Sequence, residues 1–167
     1  MYKPKARVSH PLYGLGTVES IEAKEVLDHR CDYAVVFFPE EGLRMMVRAD
    51  GENELIRPVV KPERVTEVLT SLRDFSGEGP ARANWRQRVN LAKLKSNDIF
   101  QTAEVVKNLF LVKQRRRKLN AKEEAMFERA WRVLLDELEL ASGSSREDLS
   151  LKLEEACGVI PSERAAG

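Results

Sequence analysis

Residues 84–118 read NWRQRVNLAKLKSNDIFQTAEVVKNLFLVKQRRRK, a run with apolar side chains at helical spacing between two basic edges. Leu91, Leu94, Ile99, Val105, Val106, Leu109 and Phe110 supply the apolar face of paired amphipathic helices. Trp85 stands beside Arg86 and Arg88 at one edge, and Arg115, Arg116, Arg117 and Lys118 close the other. Such a surface suits a polyanion and would set a flat apolar wedge against it. A helical bundle with a basic solvent face and Trp85 in its core fits the same pattern.

The charge distribution sharpens that choice. The chain has 167 residues and a formal net charge of +1. Residues 1–60 carry 8 Lys and Arg against 10 Asp and Glu, residues 61–120 carry 14 against 6, and residues 121–167 carry 6 against 11. The local nets are therefore −2, +8 and −5, a basic middle between acidic ends. Nucleic acid is the partner this footprint suggests, although an acidic protein surface also answers to it. No run approaches the roughly 20 apolar residues that span a bilayer, no apolar signal segment follows the basic N-terminus, and Cys31 and Cys157 form no disulfide framework. A cytoplasmic location follows as the expectation.

Upstream, the first sixty residues read as strands. His10-Pro11-Leu12-Tyr13-Gly14-Leu15-Gly16 is a tight loop returning into a strand, and Gly14 and Gly16 permit positive φ or close backbone approach. Asp32 to Pro39 holds Tyr33, Val35, Val36, Phe37 and Phe38, and Leu43 to Val47 follows the Glu40-Glu41-Gly42 turn. A last short strand runs through Pro58, which belongs at an edge or terminus. About four or five such strands predict a small barrel or curled sheet of SH3 or Tudor type over residues 1–60. By alternation, one of Met45 and Met46 points inward and the other outward.

Downstream, residues 61–167 predict an all-α domain of about five helices, giving an α+β chain. Pro62-Glu63 opens the first helix, with Val65, Val68, Leu69 and Leu72 as its stripe, and Ser76 to Pro80 bends the chain. Asn84 is placed to cap a helix starting at Trp85, whose buried side would be Val89, Leu91, Ala92 and Leu94. Arg88 shares the face of Trp85, Arg86 lies alongside, and Arg82, Lys93 and Lys95 widen the basic rim. Ser96-Asn97-Asp98 ends that helix and caps the next, and Asn120 with Glu123 caps the one after. Met126, Ala130, Val133, Leu134 and Leu138 face the bundle, with Trp131 packed into the core. A short last helix packs through Leu149, Leu151, Leu153 and Ala156, stops at Gly158 and Pro161, and leaves a frayed tail from Ser162. The cations after Gln114 suit the negative end of their helix as well as a ligand.

The residues of an active site are missing from this pattern. Both histidines lie in the β segment without a serine elbow or a Cys-His arrangement, and Glu123-Glu124 and Glu154-Glu155 read as solvated surface. His29 and Cys31 lack a second ligand pair at metal-binding spacing. Neither an enzyme, a metal site nor a cofactor is expected.

In order and spacing, these segments resemble the CarD/CdnL family of bacterial RNA polymerase-binding transcription regulators. The likeness starts at Val8, with His10-Pro11 and the Gly14-x-Gly16 turn, and continues through Gly42-Leu43-Arg44-Met45-Met46-Val47. It resumes at Asn84-Trp85 with Arg88, then at Ile99 to Leu109, Leu119 to Met126, and Leu134-Leu135-Asp136-Glu137-Leu138. The resemblance implies a Tudor-like domain over 1–60 that binds the polymerase β subunit, and a helical domain over 61–167 that meets promoter DNA with little sequence specificity. It places the polymerase contact at Arg44, Met45, Met46 and Val47, with Arg30 in the loop beside them. It places the DNA contact at Trp85, as a wedge at the upstream fork of the open bubble, with Arg86, Arg88, Arg82, Lys93 and Lys122 around it. His10 stands where the family usually has tyrosine, Arg48 where it has proline, Gln87 and Asn90 where basic residues are commoner, and Glu124 where a cation is common. A monomer associated with the nucleoid through polymerase is the resulting expectation. A helical protein–protein adaptor with no DNA role is the alternative.

Overall fold

A computed structural model describes residues 1–51 and 55–158. The expected stop at Pro161 and the tail from Ser162 lie outside the described residues. The chain divides into two compact units, Met1–Val59 and Val60–Gly167.

The first unit is one antiparallel sheet of β1 (Arg7–His10), β2 (Gly14–Val26), β3 (His29–Phe38), β4 (Leu43–Arg48) and β5 (Arg57–Pro58), in the order β4-β3-β2-β1-β5. Its two end strands do not pair with each other, so the sheet is open and the expected SH3- or Tudor-like barrel is not formed. The reason is local. β5 is two residues long and includes Pro58, which has no N–H to donate, so it offers almost nothing to close against.

Val8, Val18, Ala34, Val36, Phe38 and Val47 build the core of this unit on one face of the sheet. In the β2–β3 pairing Val18 faces Val36 and Ser20 faces Val35, so Glu19 is an extra bulge residue. The bulge resets the alternation, and Ile21 packs on the same core as Val18. Gly16 allows the close approach expected of it: a Cβ there would lie 2.7 Å from Phe38 Cε1 and 2.9 Å from Val36 Cγ1. His10 is buried, and its Nδ1 accepts from the backbone N–H of Leu12 at 3.0 Å and of Tyr13 at 3.2 Å. Two donors aimed at one ring nitrogen require the neutral imidazole, and burial lowers its pKa from the ordinary value.

The second unit contains α1 (Arg64–Asp74), α2 (Ala83–Lys95), α3 (Ile99–Arg116), α4 (Ala121–Ser142) and α5 (Arg146–Cys157). In α1 the buried residues are Val65, Val68, Leu69 and Leu72, the stripe its spacing predicts. α3 starts at Asp98, whose side chain accepts from Phe100 N–H, and α4 at Asn120, whose side chain accepts from Glu123 N–H. Leu109, Leu134, Leu138, Leu149 and Leu153 lie fully inside the shared core, and Trp131 packs partly buried against it. Leu151, expected inside, is 47% exposed, because the inward side of α5 is formed by Leu149, Leu153, Ala156 and Cys157. Lys107 is buried with Nζ donating to the carbonyls of Leu72 and Arg73, which satisfies the C-terminal end of α1.

Candidate nucleic-acid interface

α2 is built inside out. Its buried residues are Arg86, Asn90 and Leu94, at steps of four, whereas Trp85 is 65% exposed and Leu91 and Ala92 face solvent. The apolar side expected from Val89, Leu91, Ala92 and Leu94 is therefore largely absent: Leu94 alone is buried and Val89 is half-buried. The helix begins two residues earlier than expected, at Ala83, and Asn84 is not its cap. Arg82 occupies the cap position and makes no side-chain capping bond, which leaves the first-turn amides without a side-chain acceptor.

Directional polar contacts hold the helix in this orientation. Arg86 is 3% exposed. Its Nε donates to Glu123 Oε1 at 2.6 Å and its Nη2 to Glu123 Oε2 at 2.9 Å, a bidentate pair. Nη1 donates to the carbonyls of Pro80 and Ala81, tying down the segment that leads into α2. Asn90 donates to Asn108 Oδ1, and Asn108 donates in turn to the Gly77 carbonyl at 2.9 Å. Arg86 is thus corrected from a surface cation to an internal one, and Glu123 from solvated surface to its buried partner. A carboxylate in the first turn of α4, thirty-seven residues away, neutralises the charge that the sequence alone places in water.

With Arg86 and Asn90 turned inward, Trp85 and Arg88 remain outside. They line one groove of about 670 Å³ with Ala81, Arg82, Ala83, Asn84 and Arg116. Among the described residues no carboxylate lines it. Among the described residues the side chains of Arg82, Arg88 and Arg116 have no ion-pair or hydrogen-bond partner. On the other side of Arg88, Lys122 joins Asn84, Gln87, Leu91 and Met126 around a second concavity of about 400 Å³. Lys93 sits apart: it is half-buried, pairs with Glu104 at 3.0 Å and lies over the Phe75 ring, so its charge is already met. The structure accordingly brings together Trp85, Arg88, Arg82 and Lys122 and withdraws Arg86 and Lys93. Arg116, from the run whose role the sequence leaves open between helix end and ligand, joins them, since the fold of α3 carries it to Trp85 from thirty-one positions away.

The residues singled out in the first unit lie on an edge. Among the described residues β4 pairs only with β3, so its outer side is open. Met45 and Val47 turn to the core, while Arg44, Met46 and Arg48 stand opposite Phe37, Val35 and Tyr33 on the other face. Met46 is 40% exposed. Arg44 lies over Phe37 at 4.6 Å and donates twice to the bulged Glu19. Arg30 is opposite Glu25 in the part of the β2–β3 hairpin that extends beyond the end of β4, and it is exposed. Among the described residues no group of histidines, cysteines or carboxylates could hold a metal ion, and no helix is long and apolar enough to cross a membrane.

A family model described as the C-terminal domain of CarD matches residues 67–154, more than half of the chain. The matched residues include all of α2, α3 and α4, and with them every residue that lines the Trp85 groove. Over 152 residues the chain is 28% identical to the Bacillus subtilis (strain 168) protein named "Putative transcription factor YdeB", covering 89% of this chain and 97% of that protein. Proteins of this family are non-catalytic regulators, in keeping with a conspicuous surface that is cationic and aromatic. The chain belongs to the CarD family of bacterial transcription regulators.

Proposed function

We propose that the protein binds the β subunit of RNA polymerase through its β4 edge and stabilises the promoter open complex through Trp85 at the upstream fork of the bubble. The observation that carries this reading is the inversion of α2, which spends a buried helix face on Arg86 and Asn90 and leaves a tryptophan in solvent among unpaired arginines. An isolated core residue would be inside. A flat aromatic presented beside cations fits a site where bases have come apart, because only unstacked bases offer it a face. Arg88, Arg82 and Lys122 would meet phosphates and add affinity without choosing a sequence. A ligand shifts an equilibrium only by its differential affinity, and a wedge that gains contact in the open state alone supplies that difference. The open edge of β4, with Arg44, Met45, Met46, Val47 and the nearby Arg30, supports docking by strand addition. The protein works in this scheme as a monomer in the cytoplasm, without a cofactor.

Base–aromatic contacts contribute about 1–3 kcal/mol by alanine substitution, so Trp85→Ala should shorten open-complex lifetime roughly 5- to 150-fold. Polymerase co-purification should be unchanged, since Trp85 belongs to the other unit. A folded Trp85→Ala protein that binds polymerase and gives the wild-type lifetime overturns the wedge.

A further inference from the structure

We propose that Arg116, the last residue of α3, is a further nucleic-acid contact, and that it acts with Arg88 and Arg82 on the backbone phosphates flanking the base at Trp85. This rests on the reading of the Trp85 groove as the DNA surface and extends it to a residue on a different helix. Four consecutive cations, Arg115 to Lys118, follow Gln114, and their sequence does not distinguish a helix-end role from a ligand role. The fold separates them. Arg116 lines the groove of Trp85, Arg82 and Arg88. Arg117 takes the left-handed C-cap conformation, φ 63°, and lines a different groove with Phe110, Phe127 and Trp131.

The two grooves differ in charge. The one around Arg117 contains Glu128 and Glu154, so its cations have counter-charges within the protein. The one around Trp85 holds three guanidinium groups and no carboxylate. Elsewhere in this unit Lys93, Lys113 and Arg146 each pair with an acid at 3.0 Å or less. Three like charges gathered without a partner repel one another, and the negative end of α3 reduces that cost at Arg116. Among the described residues none of the four cations donates a side-chain hydrogen bond to a helix carbonyl, so the sequence-level alternative of hydrogen-bonded capping is not realised. An anion of several closely spaced charges, such as a phosphodiester backbone, is the ligand that relieves this arrangement.

The test measures affinity of the full chain for a duplex with a central unpaired bubble, by fluorescence anisotropy over a salt series. Wild type is compared with Arg116→Gln, Arg117→Gln and Arg88→Gln, all exposed positions. Loss of one phosphate contact lowers the slope of log K against log salt by about 0.7–0.9. Arg116→Gln should lose that amount, as Arg88→Gln does, while Arg117→Gln keeps the wild-type slope. A wild-type slope in Arg116→Gln beside a reduced one in Arg88→Gln overturns the proposal and leaves the DNA reading standing. Equal losses in Arg116→Gln and Arg117→Gln also overturn it, since the run would then act as a diffuse cloud. If wild type binds no bubble DNA, or no variant changes the slope, the DNA reading itself fails and this assignment with it.

Discussion

Removing Glu123 should damage the helical unit far more than an acid-to-alanine change on a helix surface. The side chains of Arg86 and Glu123 are 4% and 2% exposed, so Glu123→Leu leaves a guanidinium deep in the protein with only the Pro80 and Ala81 carbonyls for company. Breaking one side of a buried pair costs about 3–5 kcal/mol, because the surviving charge has lost both its partner and its water. For a domain near 100 residues, each kcal/mol moves the midpoint by roughly 4–8 °C, so a loss of at least about 12 °C is expected. Arg86→Met should be similarly severe, since it strands a carboxylate. The double variant Arg86→Met/Glu123→Leu removes both charges and should be milder than either single change. Its remaining deficit comes from the two carbonyls that lose a donor, at about 1–3 kcal/mol for an unsatisfied buried group. Chemical denaturation followed by helical circular dichroism gives the four corners of the cycle. Single changes within about 1 kcal/mol of wild type, or a double variant equal to the sum of its singles, refute the buried-pair argument.

Three further outcomes follow from the same structure. His10 has a lowered pKa in the folded state, so the unfolded chain binds its proton first; the stability it contributes is present above about pH 6.5 and lost as pH falls through the lower folded value. His10→Gln should flatten that acid-side slope of the midpoint in the β unit, and an unchanged slope refutes the assignment. Gly16→Ala should destabilise the β unit by about 1–3 kcal/mol, because the added methyl meets the fully buried Phe38 and Val36, and a wild-type midpoint in thermal denaturation excludes that contact. Burial pushes the Cys157 thiol up to about 12, while Cys31 is half-exposed. A thiol reagent at neutral pH should therefore label Cys31 alone in the native protein and both residues after denaturation, and native labelling of Cys157 contradicts its burial.

How far the sequence reveals this protein depends on whether local pattern or a distant partner decides. Val65, Val68, Leu69 and Leu72 were legible because an apolar stripe at helical spacing has one way to bury itself. The cap Asn120 was legible, and the stretch Ser96-Asn97-Asp98 that contains the cap Asp98, because capping is settled within three residues. The closure of the sheet was not, since it depends on whether two edges far apart in the chain can pair, and the two-residue β5 with its proline cannot. Arg86 was misplaced, and the burial of Asn90 went unseen, for a related reason. A charged or amide side chain is assigned to water unless its partner is visible, and Glu123 and Asn108 lie on other helices. The signal that existed was the four-residue spacing that puts Arg86 and Asn90 on one side of the helix with Leu94, a residue expected inside. Glu123 gave a second one: it stands at the capping-box position, but its side chain reaches Arg86, and only its backbone N–H takes part in the cap.

The polar underside of α2 has a geometric consequence for Trp85. An apolar stripe in an apolar trough tolerates small rotations of a helix, because dispersion contacts are many, weak and non-directional. Hydrogen bonds weaken steeply as they bend, and α2 is seated on several of them: two from Arg86 to Glu123, two more to the Pro80 and Ala81 carbonyls, and one from Asn90 to Asn108. These contacts fix the rotation of α2 about its axis and the path of the chain entering it, which together set where Trp85 points. Replacing the pair by apolar residues is often neutral or stabilising in other settings, so stability alone does not account for it here. A large aromatic that must stay in solvent, with no core to hold it, needs its direction fixed from underneath. Arg86 performs that task from inside the fold, while Arg88, two residues on, is left outside with the tryptophan.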